Sequence, residues 1–404
     1  MKKILLHTIA LVLLIAITAC TSSNGLTSNP VIFKKTAKKT QLIESNNEFA
    51  FSFFKEVAIA DEENYMVSPV SLSLALGMLY NGAETSTKSI MGNVLGYQDF
   101  TSDELSLVNQ EIMQTLEGDV LQIANSNWIK EGFPIKETFT NLNQTYYDAE
   151  IRTENFSDPN TVALINNWVA NKTNNKITEI IKTISPEAVL YLINAIYFNA
   201  NWEYEFKTEN TIQAPFYTDA NNSSQVAMMQ LQSDKLAFYK NELFSSLILP
   251  YKNNKYSMTL LLPNEGKNIA DLVENIDGTI WNTWQSKYQI QKTSLSLPKF
   301  KFEYQNTLND ELAKLGLETL FGNPDLSGIA EARLKVSKVL QKTFIDVNEK
   351  GTEAAAVTVI GIETTSASPR PHVNCNKPFL FAITERETGA ICFIGKVGKP
   401  EYSK

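Results

Sequence analysis

The amino-acid sequence predicts an α+β fold, with helices in the first half of the chain and strands in the second. Apolar residues recur at helical spacing after Ser45 and Ser68, whereas continuous or alternating apolar runs, typical of strands, begin near residue 188. The 404 residues, 43% of them hydrophobic, are enough to fill a large core. The interior has no Gly/Ser-rich linker, charge block or repeat period, so we expect one domain.

Two helices have recognisable starts in the sequence. Ser45 and Glu48 have the spacing of a capping box ahead of apolar residues at every fourth position, which predicts a helix from Ser45 onward. Ser68 followed by Pro69 predicts the start of a second helix, and Gly82 predicts its end. Because this second helix is apolar on nearly every side, we expect it to be buried.

The second half of the chain contains the strand patterns. Ala188–Ala200 is an unbroken apolar run, which predicts a central strand covered on both faces. Leu243–Tyr251 and Tyr256–Pro263 flank a Lys-Asn-Asn-Lys turn and are predicted to form a hairpin. The remaining predicted elements are a single strand over residues 293–303, a helix over Asn309–Leu320, and a closing hairpin of Phe379–Ile383 with Ile391–Val397.

The N-terminus has the pattern of an export signal. Two lysines precede an apolar run over residues 4–17, and Cys20 follows small residues, as in the lipobox of bacterial lipoproteins. We therefore predict a signal peptide over residues 1–19, lipidation of Cys20, a flexible tether over 20–44 and a folded domain over 45–404. The protein would then be anchored outside the cytoplasm, on the periplasmic face of the outer membrane or at the cell surface. An ordinary signal cleaved near Ala19 and an uncleaved anchor are the alternatives.

Charge and composition exclude several classes of function. A net charge of −8 argues against nucleic-acid partners, which require a concentrated basic face. Only two histidines occur; His7 lies in the predicted signal and His372 in a Pro-rich segment, so a hydrolase has almost no candidate base. The chain lacks paired metal-binding histidines and CxxC motifs, and no cofactor-binding fingerprint is present. The sequence thus predicts no enzyme, no metal and no cofactor.

Two cysteines remain beyond Cys20. Cys375 and Cys392 lie in strand-like segments at very different offsets from the turn near Gly389. They would not face each other across a hairpin, so we expect two free, largely buried thiols.

The most informative segment is Phe344–Val359, which begins like a half-buried strand and continues as a tract of small residues. In an extended chain one face would carry a set of small or apolar side chains, namely Thr352, Ala354, Ala356, Thr358, Ile360 and Ile362. No proline occurs over residues 351–368, so every backbone N–H could enter a sheet. Because a polar, Pro-bearing stretch follows, this segment is suited to both a strand and an exposed loop.

This tract, NEKGTEAAAVT, resembles the reactive-loop hinge of the serpin family. Further segments that resemble serpins follow the family's order, among them 67–90, 192–202, 297–303, 312–321 and 325–329, together with NKPFLFAI and FIGKV near the C-terminus. The resemblance covers roughly residues 45–400. It implies a fold with a large, mostly antiparallel central sheet, two further sheets, a bundle of helices and an exposed reactive loop.

Resemblance to inhibitory serpins also implies a function. A serine protease would attack the loop, form a covalent acyl-enzyme and be trapped when the cleaved loop inserts into the main sheet. The protein would act as a monomer. The alternative is a non-inhibitory serpin-fold binding protein or chaperone, but the inward-facing positions of the hinge carry none of the bulky, charged or proline residues that usually mark that class. The hinge residues implied by the family motif are Glu349, Gly351, Thr352, Glu353, Ala354, Ala355 and Ala356.

The position of the cleaved bond follows from two family spacings that disagree. Counting from Gly351 gives Thr365-Ser366, whereas counting back from Pro378 gives Ala367-Ser368. All residues over 364–368 are small, which favours an elastase-like or subtilisin-like protease. A trypsin-like target would require Arg370, which lies between two prolines.

The resemblance implies two further groups that control sheet opening. Ser68, Ser71, Asn194 and Gln341 match the family's shutter, in which Gln341 replaces the usual histidine and would remove its pH sensitivity. Trp202 and Lys299 match the breach, where insertion begins, and Lys299 would pair with Glu349. The alternative interpretation is an exposed ion pair that contributes less than about 1 kcal/mol.

Overall fold

The helices and strands follow one another in an order that separates a helical first third from a strand-rich remainder. The computed structural model describes residues 37–58, 63–252, 254–352 and 370–402, all of which belong to one compact unit. The predicted signal peptide, Cys20 and the loop from Glu353 to Pro369 lie outside the described residues. The α+β class is confirmed.

Nine α-helices occur in the described part of the chain. They are α1 (Ala37–Ala58), α2 (Pro69–Tyr80), α3 (Thr85–Leu95), α4 (Ser102–Leu116), α5 (Glu137–Tyr147), α6 (Asn160–Lys172), α7 (Ile269–Glu274), α8 (Gly278–Gln285) and α9 (Asn309–Leu312). None of these helices combines the length and the apolar character needed to cross a membrane. Helix α2 starts as predicted, because Ser68 caps it through a bond from the Ser71 backbone N–H and Pro69 is its first residue. It ends at Tyr80, and all but one of its side chains are buried.

Helix α1 begins earlier than predicted. It already includes Ala37, and Ser45 lies inside it, donating a hydrogen bond to the carbonyl of Gly96 instead of capping a helix end. Lys39 is 7% exposed and forms an ion pair with Glu111, so it is buried against α4 and does not belong to a solvated tether. Residues 37–44 are therefore folded, and the predicted tether over 20–44 is wrong for that part.

Sixteen strands are described. They are β1 (Asn64–Val67), β2 (Leu121–Lys130), β3 (Ala149–Glu154), β4 (Leu190–Phe198), β5 (Ala200–Asn201), β6 (Ile212–Tyr217), β7 (Ser223–Lys240), β8 (Phe244–Pro250), β9 (Tyr256–Pro263), β10 (Gln289–Pro298), β11 (Phe300–Thr307), β12 (Leu340–Val347), β13 (Gly351–Thr352), β14 (His372–Asn374), β15 (Phe379–Glu385) and β16 (Ile391–Val397). The predicted hairpins β8–β9 and β15–β16 are both present.

The strands form three sheets. A nine-stranded sheet has the order β1-β16-β15-β9-β8-β7-β10-β14, with β6 on β7; a four-stranded sheet has the order β11-β12-β13-β5, and a three-stranded sheet β3-β2-β4. The single strand predicted over 293–303 is wrong, because the chain changes sheets at Lys299, whose backbone N–H donates to Ala227. The helix predicted over Asn309–Leu320 is regular only at its start, since Gly316 has a φ of 100° and interrupts it.

Candidate functional site: the hinge and the gap in the sheet

The two smaller sheets lie edge to edge, with a gap between them. In the described part of the chain no backbone pairing joins β4, at the edge of one sheet, to β12 of the other. A cavity of about 380 Å³ lies along the lower part of this gap, with Leu72 and Leu76 of α2 below it and Leu192 and Leu340 beside it. Two strand edges with an apolar floor between them can accept an additional strand.

A short strand already occupies the top of the gap. Strand β13 pairs antiparallel with β12, with Thr352 opposite Val347, and antiparallel with β5, with Thr352 opposite Ala200. Because β13 is antiparallel to both neighbours, β5 and β12 run parallel to each other. A chain that continued beyond Thr352 in this direction would be antiparallel on both sides.

The position of Gly351 allows no side chain. A Cβ built there would lie 2.1 Å from the carbonyl oxygen of Ala200 and 2.7 Å from the Cα of Asn201. Both obstacles are backbone atoms of β5, so they cannot move aside by a rotamer change. The backbone of the hinge approaches β5 this closely only because residue 351 is glycine.

Two aromatic side chains hold the hinge residue Thr352. The Thr352 hydroxyl is hydrogen-bonded at 2.7 Å to the Tyr251 hydroxyl, and both residues are buried. The Tyr251 ring stacks on Trp202 with centroids 4.5 Å apart. Trp202 in turn binds the turn before β13: its indole N–H donates to Asn348 and its backbone N–H to Lys350. Burial raises the pKa of Tyr251, so the hydroxyl stays protonated.

The turn between β12 and β13 is fixed by an ion pair. Lys299 Nζ lies 2.9 Å from Glu349 Oε2, and the Thr211 hydroxyl donates to Glu349 Oε1 at 3.0 Å. The two charged side chains are only 18% and 10% exposed, so the interpretation as an exposed surface pair is wrong. Burial opposes ionisation of Glu349, but the hydrogen bonds from Lys299, from its own backbone and from Thr211 outweigh it, and the pKa of this carboxyl is lowered.

The four residues matched to the shutter lie at the foot of the gap. Gln341 of β12 bonds the start of α2 twice: its Oε1 accepts from the Ser68 N–H at 3.0 Å and its amide donates to the Ser68 carbonyl at 2.9 Å. Asn194 of β4 accepts a hydrogen bond from Ser71 and donates to Asn125 at 2.7 Å. Each edge of the gap is thus tied separately to helix α2, without an ionisable group. That this cluster gates sheet opening remains a prediction.

A segment between α6 and β4 covers the outer side of the gap. Ile177, Ile180 and Ile181 are buried in one apolar cluster with residues of β4, and Leu340 and Phe344 of β12 pack against it. Lys176 lies 5.3 Å from the centroid of the Phe344 ring. An additional strand in the gap would have to displace this covering segment or fit beneath it.

His372 lies in β14, not in the loop expected from the sequence. Its Nε2 is 2.8 Å from the Ser296 hydroxyl oxygen, but that hydroxyl donates its proton to Gln230 Oε1 at 2.7 Å. The histidine must therefore donate to Ser296 and cannot act as its base. Burial lowers the pKa of His372. No group of three or more His, Cys, Asp or Glu side chains in the described residues could hold a metal ion.

The cysteines agree with the sequence prediction. Cys375 and Cys392 are free and fully buried, and burial raises the pKa of both thiols.

The predicted hinge, breach and cleavage-site residues fall into two groups, those at the top of the gap and those outside the described residues. The structure brings Glu349, Gly351, Thr352, Trp202 and Lys299 together at the top of the gap. The predicted hinge residues Glu353, Ala354, Ala355 and Ala356 and the bonds Thr365-Ser366 and Ala367-Ser368 lie outside the described residues.

Sequence reasoning missed Tyr251 and Thr211. Tyr251 is 101 residues from Thr352 along the chain. Tyr251 is the last residue of a predicted strand, and no local pattern there indicates a contact with Thr352.

Comparisons with known proteins agree with this geometry. The family model described as "Serpin (serine protease inhibitor)" matches residues 44–400. An uncharacterized serpin-like protein of Methanosarcina mazei is 34% identical over 378 residues, 89% of this chain and 88% of the relative. Serpin A3-2 of Bos taurus is 36% identical over 370 residues, 89% of each chain. The crystal structure of the thermophilic serpin tengpin in its native state superposes with a TM-score of 0.83 at 34% identity, covering 93% of this chain and 97% of that one.

Proposed function

The chain belongs to the serpin family, and we propose that it is a suicide-substrate inhibitor of serine proteases. The observation that carries the proposal is strand β13. Its two residues, Gly351 and Thr352, are already paired with both neighbours at the top of a gap whose edges are unpaired below. Insertion therefore only has to extend an existing register.

The register of β13 determines where an inserted loop would lie. Thr352 faces Ala200 on one side and Val347 on the other. Continued by six residues, the same antiparallel register brings Thr358 level with Asn194 and Gln341, the two residues that tie the edges to α2. Thr352 points inward, so the alternate positions 354, 356 and 358 would also point inward, where small side chains fit.

In the proposed reaction, the serine Oγ of the target protease adds to a loop carbonyl carbon, with Thr365 as the first candidate. The Thr365-Ser366 peptide bond breaks, the Ser366 amine leaves with a proton, and an ester joins the protease serine to Thr365. The freed segment then inserts between β4 and β12. Fourteen inserted residues at about 3.3 Å each would move the attached protease by roughly 45 Å. This displacement would distort the active site of the protease, so that it could no longer hydrolyse the ester.

The small residues over 364–368 favour an elastase-like or subtilisin-like protease, because such enzymes have shallow specificity pockets. The bond is Thr365-Ser366 or Ala367-Ser368. Mass spectrometry of the fragments released by elastase, subtilisin and trypsin would identify the bond and the protease class together.

The experiment that tests inhibition uses a matched pair of loop variants. We expect wild type to form a covalent complex with an elastase-like protease that survives SDS. Ala354→Arg places a charged side chain on the inward face and should turn the protein into a cleaved substrate without a complex. Ala355→Arg, one residue away on the outward face, should leave the complex intact. If both variants trap the protease equally, or wild type forms no complex, insertion is not the mechanism.

The second candidate function is a non-inhibitory serpin-fold binding protein. It would show cleavage of wild type without a covalent complex. The small, proline-free hinge and the open gap favour inhibition.

Membrane attachment is a separate proposal, supported by the lipobox-like residues before Cys20. Lipidation would hold the domain outside the cytoplasm, at the outer membrane or cell surface. Cells fed an alkyne-labelled fatty acid should incorporate label into wild type and into Cys375→Ser, but not into Cys20→Ser. Equal labelling of all three would contradict this assignment.

A further inference from the structure

The segment that follows β16, residues 398–402, ends beside the hinge. Asn64 of β1 fixes its start, because the Asn64 side chain makes three hydrogen bonds of 2.7, 2.9 and 3.0 Å with the backbone of the first two residues of the segment. Further along, the backbone N–H of Lys301 in β11 donates to the Glu401 carbonyl at 2.8 Å. The segment is therefore held at two points, and Tyr402 follows directly after the second.

Tyr402 places its aromatic ring on the ammonium group of the ion pair in the hinge turn. The Lys299 ammonium lies 4.3 Å from the Tyr402 ring centroid and 2.9 Å from Glu349 Oε2. A cation within about 6 Å of an aromatic ring is attracted to the face of the ring, and more strongly where solvent is excluded. The Lys299 side chain is only 18% exposed. The ring and the carboxylate therefore hold the same ammonium group.

The Tyr402 hydroxyl also contacts the strand and the turn that lead into β13. It interacts with the side chains of Asp346, in β12, and Asn348, in the turn. Burial and the Asp346 carboxylate raise the pKa of Tyr402 to about 12, so the hydroxyl stays protonated and can donate to that carboxylate. One tyrosine thus connects Lys299 with the turn that carries Glu349.

We propose that residues 398–402 form a clasp on the hinge, in which Tyr402 is a positioning residue that keeps Lys299 paired with Glu349. Without the ring, the ammonium group would be free to leave the carboxylate for solvent, and the turn before β13 would lose its fixed position. Because the segment continues from β16, the clasp connects the nine-stranded sheet with the top of the gap. The role of the clasp in inhibition rests on the proposed function, whereas its effect on the hinge does not.

The test is amide hydrogen exchange of the full-length chain, measured at Gly351 and Thr352. Tyr402→Ala should raise the exchange rate there by about tenfold, because the attraction of the ring for the ammonium and the contacts of the hydroxyl are lost together. Tyr402→Phe retains the ring and should stay within about threefold of wild type. The matched control Tyr217→Ala removes a tyrosine that is 45% exposed and lies outside the hinge, so the exchange rate should equal that of wild type.

A double-mutant cycle separates positioning of Lys299 from simple packing. If Tyr402 acts through Lys299, the effect of Tyr402→Ala should fall to about threefold or less in the Lys299→Met background. The core strand β15 serves as an internal reference, and its exchange should be the same in wild type and in Tyr402→Ala.

Three outcomes would overturn the proposal. They are unchanged exchange at the hinge in Tyr402→Ala, an equal rise of exchange in β15, and a full tenfold effect in the Lys299→Met background. No protease enters these measurements. A wild-type protein that forms no covalent complex would therefore contradict the proposed function without contradicting the clasp.

Discussion

Replacing Glu349 by lysine is the sharpest perturbation of the hinge. The new ammonium would face Lys299, whose Nζ is now 2.9 Å from the carboxylate, and the bond from Thr211 would be lost. Both charged side chains are at least four-fifths buried, so solvent screens them little. Removing one partner of such a pair costs about 3–5 kcal/mol.

The expected change in stability follows from the size of the domain. An unfolding entropy of about 2.1 cal/mol/K per residue over the matched region converts this cost into a melting temperature lower by about 4–7 °C. Because the turn that holds β13 would be released, we also expect the gap to accept another molecule's loop and polymers to form. The measurements are thermal unfolding at pH 7 and native gels after mild heating.

The matched control is Glu303→Lys on the adjacent strand β11. Glu303 also pairs with a lysine at 2.9 Å, Lys342, but its side chain is 50% exposed. Because Glu303 is half exposed, solvent screens the pair even though the Lys342 side chain is only 10% exposed, and the pair contributes at most about 1 kcal/mol. This variant should therefore melt within about 1 °C of wild type and stay monomeric. If Glu349→Lys behaves like Glu303→Lys, the hinge ion pair does not hold the sheet closed.

The same pair predicts a pH dependence. The folded-state pKa of Glu349 lies below its ordinary value of 4.5, so its stabilisation is fully present above that value and is lost as the pH falls through the lower folded-state pKa. Wild type should therefore be more stable than Glu349→Gln at pH 7, and the difference should shrink only below about pH 4.5. A difference that is the same at pH 3 and pH 7 would contradict this assignment.

Three further variants test the contacts around the gap. Tyr251→Phe removes the hydroxyl bonded to Thr352 and should cost about 1 kcal/mol, with faster amide exchange at Gly351 and Thr352; unchanged exchange there would refute the role of this bond. Gly351→Ala would place a Cβ 2.1 Å from a backbone oxygen of β5, so β13 should leave the gap and become sensitive to proteolysis; wild-type resistance would contradict the close approach. Gln341→Ala removes both hydrogen bonds to the Ser68 backbone and should lower the free energy of unfolding by about 2–4 kcal/mol in denaturant titrations. A loss below about 1 kcal/mol would show that these two bonds do not hold β12 to the start of α2.

The elements that could be predicted from the sequence are those with local chemical signals at their ends. Ser68 and Pro69 mark the start of α2 because a cap bond and a missing N–H act within one turn. The two hairpins were predictable for a similar reason, since each pairs neighbouring segments across a short turn.

The incorrect predictions depended on contacts between distant residues. Helix α1 extends to Ala37 because Lys39 is buried and paired with Glu111 on α4, which no local pattern around Ser45 reveals. The change of sheets at Lys299 is hidden because β10 and β11 have the same alternating pattern, so the sequence shows one continuous strand.

Part of the candidate site could be predicted from the sequence, and part required the structure. The family resemblance assigned Glu349 and Gly351 to the hinge and Trp202 and Lys299 to the breach, and the structure places these four residues together. It did not predict how far the hinge enters the sheet, because that depends on the exact fit of the Gly351 backbone against β5. The hydroxyl contact of Tyr251 with Thr352 required three-dimensional structure.

The central claim is that the intact protein is held in a strained form that relaxes when its loop is cut. The most direct measurement compares the melting temperatures of the intact chain and of the chain cleaved within residues 364–368. The eleven residues 353–363 would gain strand hydrogen bonds on insertion, which should raise the melting temperature by about 10 °C or more. An identical melting temperature for the two forms would show that the loop does not enter the sheet.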